Sequence, residues 1–195
     1  CRRGGGLVDL RDHHRSHADI VAFSNKYFYD CKLRVVTRYD KLNSLPGGPA
    51  VRWVHQAGST EAHRNGGSFN EAEAKAVYRE VKRIADAGYR GSVGVVSPFR
   101  AQVNRIRDLI AADQELEDRL RLREFMVETV HRFQGDERDV MIFSPVVATG
   151  ISRGSAYFLE QTGNLFHVSL TRARAALGVV GDKEYCGCGD LSPKY

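Results

Sequence analysis

The sequence predicts an α/β fold in which a mainly parallel central sheet is covered on both faces. Three observations carry this. Several short apolar runs, among them Val93-Gly94-Val95-Val96 and Val140-Met141-Ile142-Phe143, are continuous rather than alternating, as strands buried on both sides require. Segments of helical periodicity stand between them. Joints containing Gly, Pro or Asn separate the two kinds of segment. In such sheets ligands bind beyond the carboxyl ends of the strands, so the chemistry is expected at residues that follow a strand.

Each element has its local reason. Leu7-Val8-Asp9-Leu10 is a short apolar run. Ile20, Phe23, Tyr27 and Phe28 recur at helical spacing, and Asp19 suits the positive start of that helix, predicted over 18–29. Arg34 to Thr37 and Val51 to Val54 are short strands, separated by a loop over 40–50 that carries Asn43, Pro46, Gly47, Gly48 and Pro49. Residues 56–67 are polar and glycine-rich, another loop. Asn70 to Glu73 has the form of a capping box, and Ala74, Val77, Val81 and Ile84 continue the helix until Gly88. After the strand at 93–96, Ser97-Pro98 is expected to open a helix whose inner face is Val103, Ile106 and Ile110. Residues 113–124 are an exposed helix or loop, 125–127 and 140–143 strands, 149–163 a loop or short insertion, 165–174 a helix, and 176–180 the last strand.

At 195 residues the chain is long enough for one domain with a core. The charge of +5, from 29 Lys and Arg against 24 Asp and Glu, is compatible with a polyanionic partner. No run has the length of a membrane helix and the first residues do not resemble a signal peptide, so a cytoplasmic, intracellular protein without membrane contact is expected. Residues 1–6 are read as a linker or a boundary cut into a longer chain, 7–182 as the domain, and 183–195 as a tail. Cys1, Cys31, Cys186 and Cys188 fit neither a disulfide framework nor a zinc site, and the seven histidines lack metal-ligand spacing.

Four segments stand out chemically: His13-His14-Arg15-Ser16-His17, Ser97-Pro98-Phe99-Arg100-Ala101-Gln102, Thr129 to Asp139, and Val168 to Arg174. Each places arginines, hydroxyls or amides near a strand–helix junction. Arginine's rigid fork of donors and the free N–H groups of a helix start both suit phosphate oxygens. No Gly-Lys dipeptide occurs anywhere, and the one Asp-Glu pair, Asp136-Glu137, follows Gln-Gly rather than a strand. A P-loop and a strand-end acidic pair for Mg²⁺ are therefore lacking.

In this order and spacing the four segments resemble the second helicase domain of superfamily 1, in the branch of the nonsense-mediated-decay RNA helicase and its DNA-processing relatives. Arg15-Ser16-His17 with Phe23-Ser24-Asn25 and Phe28-Tyr29 looks like motif IV, Thr129 to Asp139 like motif V, and Leu170-Thr171-Arg172-Ala173-Arg174 like motif VI. The resemblance implies a RecA-like three-layer fold of the P-loop NTPase type that lacks its own P-loop. It implies that Arg15 and Arg172 act as arginine fingers on the γ-phosphate. Glu137, with Gln134 and Gly135 beside it, contacts the nucleotide. His14 stands where the family often has an adenine-stacking Tyr. Ser97, Pro98, Phe99, Thr129 and His131 fall to single-stranded nucleic acid, with Phe99 packing under a base or sugar. The family's common Pro and Asn are here Ala18 and His167.

By the same resemblance, ATP and Mg²⁺ are held mainly by a preceding RecA-like domain, so this fragment alone is expected to be inactive. DNA is weakly favoured over RNA, and the branch moves 5′ to 3′. A helicase-derived docking module without catalysis is the alternative. Among simpler roles, His17 is expected to be a packed, hydrogen-bonded histidine, Asp136 part of a solvated turn, and Asp139 a structural partner of Arg138. For Arg174 a salt bridge and a phosphate contact stay equally open.

Overall fold

A computed structural model describes residues 11–64, 66–133, 135–163 and 171–188. In chain order the elements are β1 (Asp12–His13), α1 (Ala18–Phe28), β2 (Arg34–Val35), a 3-10 turn (Tyr39–Lys41), β3 (Val51–His55), β4 (Glu61–Ala62), β5 (Ser68–Phe69), α2 (Glu71–Asp86), β6 (Val93–Ser97), α3 (Arg100–Ala111), α4 (Gln114–Arg121), β7 (Phe125–Thr129), β8 (Arg138–Phe143), α5 (Arg153–Gln161), β9 (Ala173–Gly181) and α6 (Lys183–Cys188). Five strands form one all-parallel sheet in the order β3-β9-β8-β6-β7. β1 and β2 form a separate parallel pair, and β4 and β5 a small antiparallel hairpin.

The apolar strand runs are continuous because both faces are covered. Val95, Val140 and Ile142 point to one side, where Val77, Val81 and Ile84 of α2, Val103 and Ile106 of α3, and Leu116 and Leu120 of α4 pack on them. Their neighbours Val96, Met141 and Phe143 point to the other, against Ile20 of α1 and against Val130 and Phe133 from the β7–β8 connection. Side chains as fully buried as Ile106 and Ile142 contribute about 1.5–3 kcal/mol each.

The helix starts follow their sequence signals in part. Asn70 caps α2 by accepting from the Glu73 amide at 3.1 Å. Glu73 does not return the bond, as a full capping box would. The Asn70 amide instead donates to Gln102 Oε1 at 2.9 Å, and Glu73 turns inward. α3 opens at Arg100 with Phe99 as its cap, not at Ser97-Pro98. Residues 113–124 form α4, which Leu116 and Leu120 anchor. The loop expected over 56–67 contains β4 and runs into β5 of the hairpin, and that over 149–163 contains α5, capped by Ser152. The helix expected over 165–174 falls mostly outside the described residues, but its last two residues are already strand, since Ala173 pairs with Arg138. The apolar run at 7–10 lies outside the described residues.

Candidate nucleotide and nucleic-acid site

Arg15 lies in the turn between β1 and α1, and backbone bonds hold that turn. The Ser16 amide donates to His13 Nε2 at 3.0 Å, Thr37 Oγ1 donates to the Ser16 carbonyl at 2.8 Å, and the His17 amide donates to the Arg174 carbonyl at 2.9 Å. Burial, then the Arg15 charge, lowers the His13 pKa, which keeps the ring neutral and able to accept. His17 caps α1, its Nδ1 accepting from the Asp19 amide at 3.2 Å, as a structural histidine. Arg15 is thereby set beside the start of β9. It donates to Glu137 Oε1 at 2.5 Å. Glu137 immediately precedes β8, and the next amide, Arg138, donates to the Arg172 carbonyl at 3.2 Å. Three residues remote in sequence thus meet at one edge of the sheet.

That edge is the amino end of the strands, not the carboxyl end that the fold class led one to expect. The reason is local: Glu137 and Arg172 come just before β8 and β9 rather than after a strand. The two arginines are not equivalent. Arg15 is paired, whereas the Arg172 guanidinium has no ion pair or hydrogen bond among the described residues, and its Nε is buried without a partner. Arg15 Nε is likewise buried and unpartnered. Buried guanidinium donors with open positions suit an anion that supplies several oxygens, such as a phosphate. They do not suit a metal, and no three His, Cys, Asp or Glu side chains converge among the described residues. His14 is exposed beside Arg15. Gly135 has φ +94°, a left-handed turn position that favours glycine. Gln134 lies outside the described residues.

Arg138, which the sequence offered only as a partner for Asp139, has a further role. It is buried, its Nη1 donates to the Glu137 carbonyl at 2.7 Å, and its guanidinium lies 5.6 Å from the Phe133 ring centre. It therefore fixes the backbone that carries Glu137. Asp139 is not its partner, contrary to the expectation. Asp139 accepts from the Ser92 amide and hydroxyl, both at 3.0 Å, and lies 3.8 Å from Arg174, while Arg138 lies 3.9 Å from half-buried Asp136. Arg174 therefore takes the salt-bridging role.

The opposite edge holds the residues predicted to touch nucleic acid. Ser97 ends β6 and Thr129 ends β7, side by side in register. Ser97 is 0% exposed, Phe99 6% and Thr129 7%, and Pro98 is also buried. The Phe99 ring packs 5.6 Å from Phe158 of α5, a helix absent from the sequence reading, and His131 lies 6.4 Å from the same ring. Only His131 of the five faces solvent. The idea that Phe99 packs under a base is corrected on this ground, because its ring is covered by α5. The β7–β8 connection runs between the two edges, from Thr129 to Glu137, with no helix among its described residues.

A doubly covered parallel sheet, with Arg15 and Arg172 at the amino ends of its strands, fits a RecA-like domain. Residues 6–184 match the family described as an AAA domain, and the chain belongs to that family, as a second RecA-like domain of the superfamily 1 helicase type. It is 32% identical over 183 residues to a Dictyostelium discoideum protein described as a probable helicase, covering 89% of this chain and 18% of that protein. It is 27% identical over 191 residues to helicase sen1 of Schizosaccharomyces pombe, covering 91% of this chain and 11% of that one. The chain thus spans less than a fifth of either relative. In fold it matches the C-terminal domain of a possible DNA helicase from Lactobacillus plantarum WCFS1, with a TM-score of 0.50, 16% identity and 87% of each chain covered. No described helix is long and apolar enough to cross a membrane.

Proposed function

We propose that this chain is the second motor domain of an ATP-dependent nucleic-acid helicase or translocase. It supplies Arg15 and Arg172 to ATP held mainly by a preceding RecA-like domain, and it contacts single-stranded nucleic acid, DNA rather than RNA, at the other edge of its sheet. The observation that carries the reading is the meeting of Arg15, Glu137 and Arg172 at the amino edge, with the Arg172 guanidinium unpaired. ATP with Mg²⁺, bound across the cleft, supplies the phosphoryl group and its charge. Arg172 is free to reach that charge directly. Arg15 exchanges its bond to Glu137 for one to phosphate, and Glu137 is then released toward the sugar or the γ-phosphate. Arg138 holds the Glu137 backbone throughout. Closing the cleft completes the site and hydrolysis reopens it. The 130–137 segment, which joins Thr129 to Glu137, is the shortest covalent route by which the nucleotide edge acts on the strand edge.

The test uses the full-length protein. Arg172→Ala and Arg15→Ala should each lower nucleic-acid-stimulated ATP hydrolysis by roughly 10³-fold or more, the scale of an arginine finger, while ATP still binds. Full hydrolysis by the Arg172→Ala protein would sink the assignment and leave the docking-module reading.

A further inference from the structure

The turn that carries Arg15 is closed by a side chain. Ser16 is 0% exposed, and a buried amide needs an acceptor. Here the acceptor is a ring nitrogen, His13 Nε2 at 3.0 Å. The ring therefore reaches past His14 and Arg15 to the residue beyond them. Its own backbone is fixed from the other side. The His13 carbonyl accepts from the Val36 amide at 2.8 Å, and His13 pairs with Val35 in the β1–β2 ladder. Thr37 Oγ1 completes the frame by donating to the Ser16 carbonyl at 2.8 Å. His13 is thus the link through which the β1–β2 pair sets where the Arg15 backbone stands.

That link matters most when Glu137 lets go. Among the described residues, Glu137 is the partner that holds the Arg15 guanidinium, and the Arg15 Nε is buried without one. Once the guanidinium leaves Glu137 for a phosphate, its direction comes from the backbone turn. A group that acts on developing charge needs that direction held, since a displacement of ~1 Å can cost about 10²-fold in rate.

The bond also requires one protonation state. Nε2 accepts only while it carries no proton, which leaves the hydrogen on Nδ1. Burial first, then the charges of Arg15 and His14 in the same turn, hold the His13 pKa below the usual 6.5, against an upward pull from Glu137 before β8. On the remaining side β2 keeps its charge, Arg34, on Asp12. A proton on Nε2 would set a donor against the Ser16 amide and a second positive charge beside Arg15.

We propose that neutral His13 is a positioning residue for ATP hydrolysis: it holds the Ser16 amide so that Arg15 stays aimed at the phosphate, and a proton on its ring releases the turn and disables the finger. The proposal rests on the arginine-finger reading above and adds what aims the finger and when.

The experiment measures ATP hydrolysis by the full-length protein, with a single-stranded oligonucleotide present, from about pH 5 to 8. His13→Leu has no acceptor and should lower kcat by about 10²-fold, with KM for ATP little changed. His13→Gln offers an oxygen that accepts and does not titrate. It should keep the parent's kcat at the alkaline end and hydrolyse several-fold faster than the parent as pH falls below 6.5. His13→Leu added to Arg15→Ala should cost nothing further, because the turn then has no guanidinium to aim. A ring that only stabilised the fold would instead multiply its loss onto that of Arg15→Ala. Multiplied losses, or a His13→Gln profile parallel to the parent's, would overturn the proposal. Full hydrolysis by Arg15→Ala overturns the finger reading and this proposal together. An inactive Arg15→Ala beside a fully active His13→Leu overturns this proposal alone.

Discussion

Glu73 is 0% exposed and has no positive charge opposite it. Its Oε1 accepts from Ser144 Oγ at 2.6 Å and from the Val146 amide at 2.9 Å, while Oε2 is buried without a partner. Burial, with a smaller push from the Asp182 charge, raises its pKa from 4.5 to about 7. At ~1.36 kcal/mol per tenfold change in proton affinity, the rise from 4.5 to about 7 corresponds to about 3 kcal/mol. The sign follows from proton binding. Between the two values the folded state keeps a proton that the unfolded state has released, so stability is full below pH 4.5 and is lost as pH rises to about 7. Glu73→Gln keeps an oxygen to accept the two bonds and carries no charge at any pH. The variant should therefore gain about 3 kcal/mol on the native protein between pH 4.5 and pH values above 7. Urea unfolding of both proteins at the two ends of this range measures it, because titrating groups remote from Glu73 cancel in the comparison. Parallel pH profiles, or a variant that loses ground as pH rises, would refute the reasoning.

Three further outcomes are expected. The side chains of Arg15 and Glu137 are 36% and 34% exposed, so Glu137→Gln should change stability by less than ~1 kcal/mol. The same variant should cut ATP hydrolysis of the full-length protein by at least about tenfold, and a thermal melt beside the assay separates the two effects. A Cβ on Gly94 would sit 2.7 Å from both Met141 Sδ and Phe133 Cζ. Gly94→Ala should therefore cost about 1–3 kcal/mol in denaturant unfolding and, by shifting Phe133, lower hydrolysis as well. A Cβ on Gly58 would meet Asn70 Oδ1 at 2.7 Å, so Gly58→Ala should weaken the α2 cap by about 1 kcal/mol, read as a lower urea midpoint.

The sheet was legible because both of its faces are buried: Val93 to Val96 and Val140 to Phe143 are apolar at every position, which only a doubly covered strand tolerates. The strand order was not legible, since nothing local tells β9 to insert between β3 and β8. α4 was hard to see because Leu116 and Leu120 are its only buried residues in a charged segment. α5 was harder still, for it buries only Ser155. Its Phe158 covers Phe99, so missing that helix left Phe99 to be read as a base contact. At the other edge, the family resemblance singled out Arg15, Glu137 and Arg172 but not which side of the sheet they occupy. Arg138 gave no signal, because its role is to hold a carbonyl and to lie on a ring, and neither leaves a pattern in sequence.

The connection from Thr129 to Arg138 also sets a rule for how such chains can vary. β7 rises from Phe125 to Thr129, and the register places Phe125 and Val140 both opposite Val93, so the chain must come back past that level to begin β8 two residues earlier. At ~3.3 Å per residue, six residues of rise amount to about 20 Å. The segment covers this drop while seating Val130 and Phe133 in the core, which leaves little slack. It works as a ruler cut to the height of the sheet. Adding or removing a residue between Thr129 and Glu137 would shift Glu137 along the edge or pull Phe133 from its seat. Length changes in the β4–β5 hairpin, whose glycines turn in open space, would disturb neither.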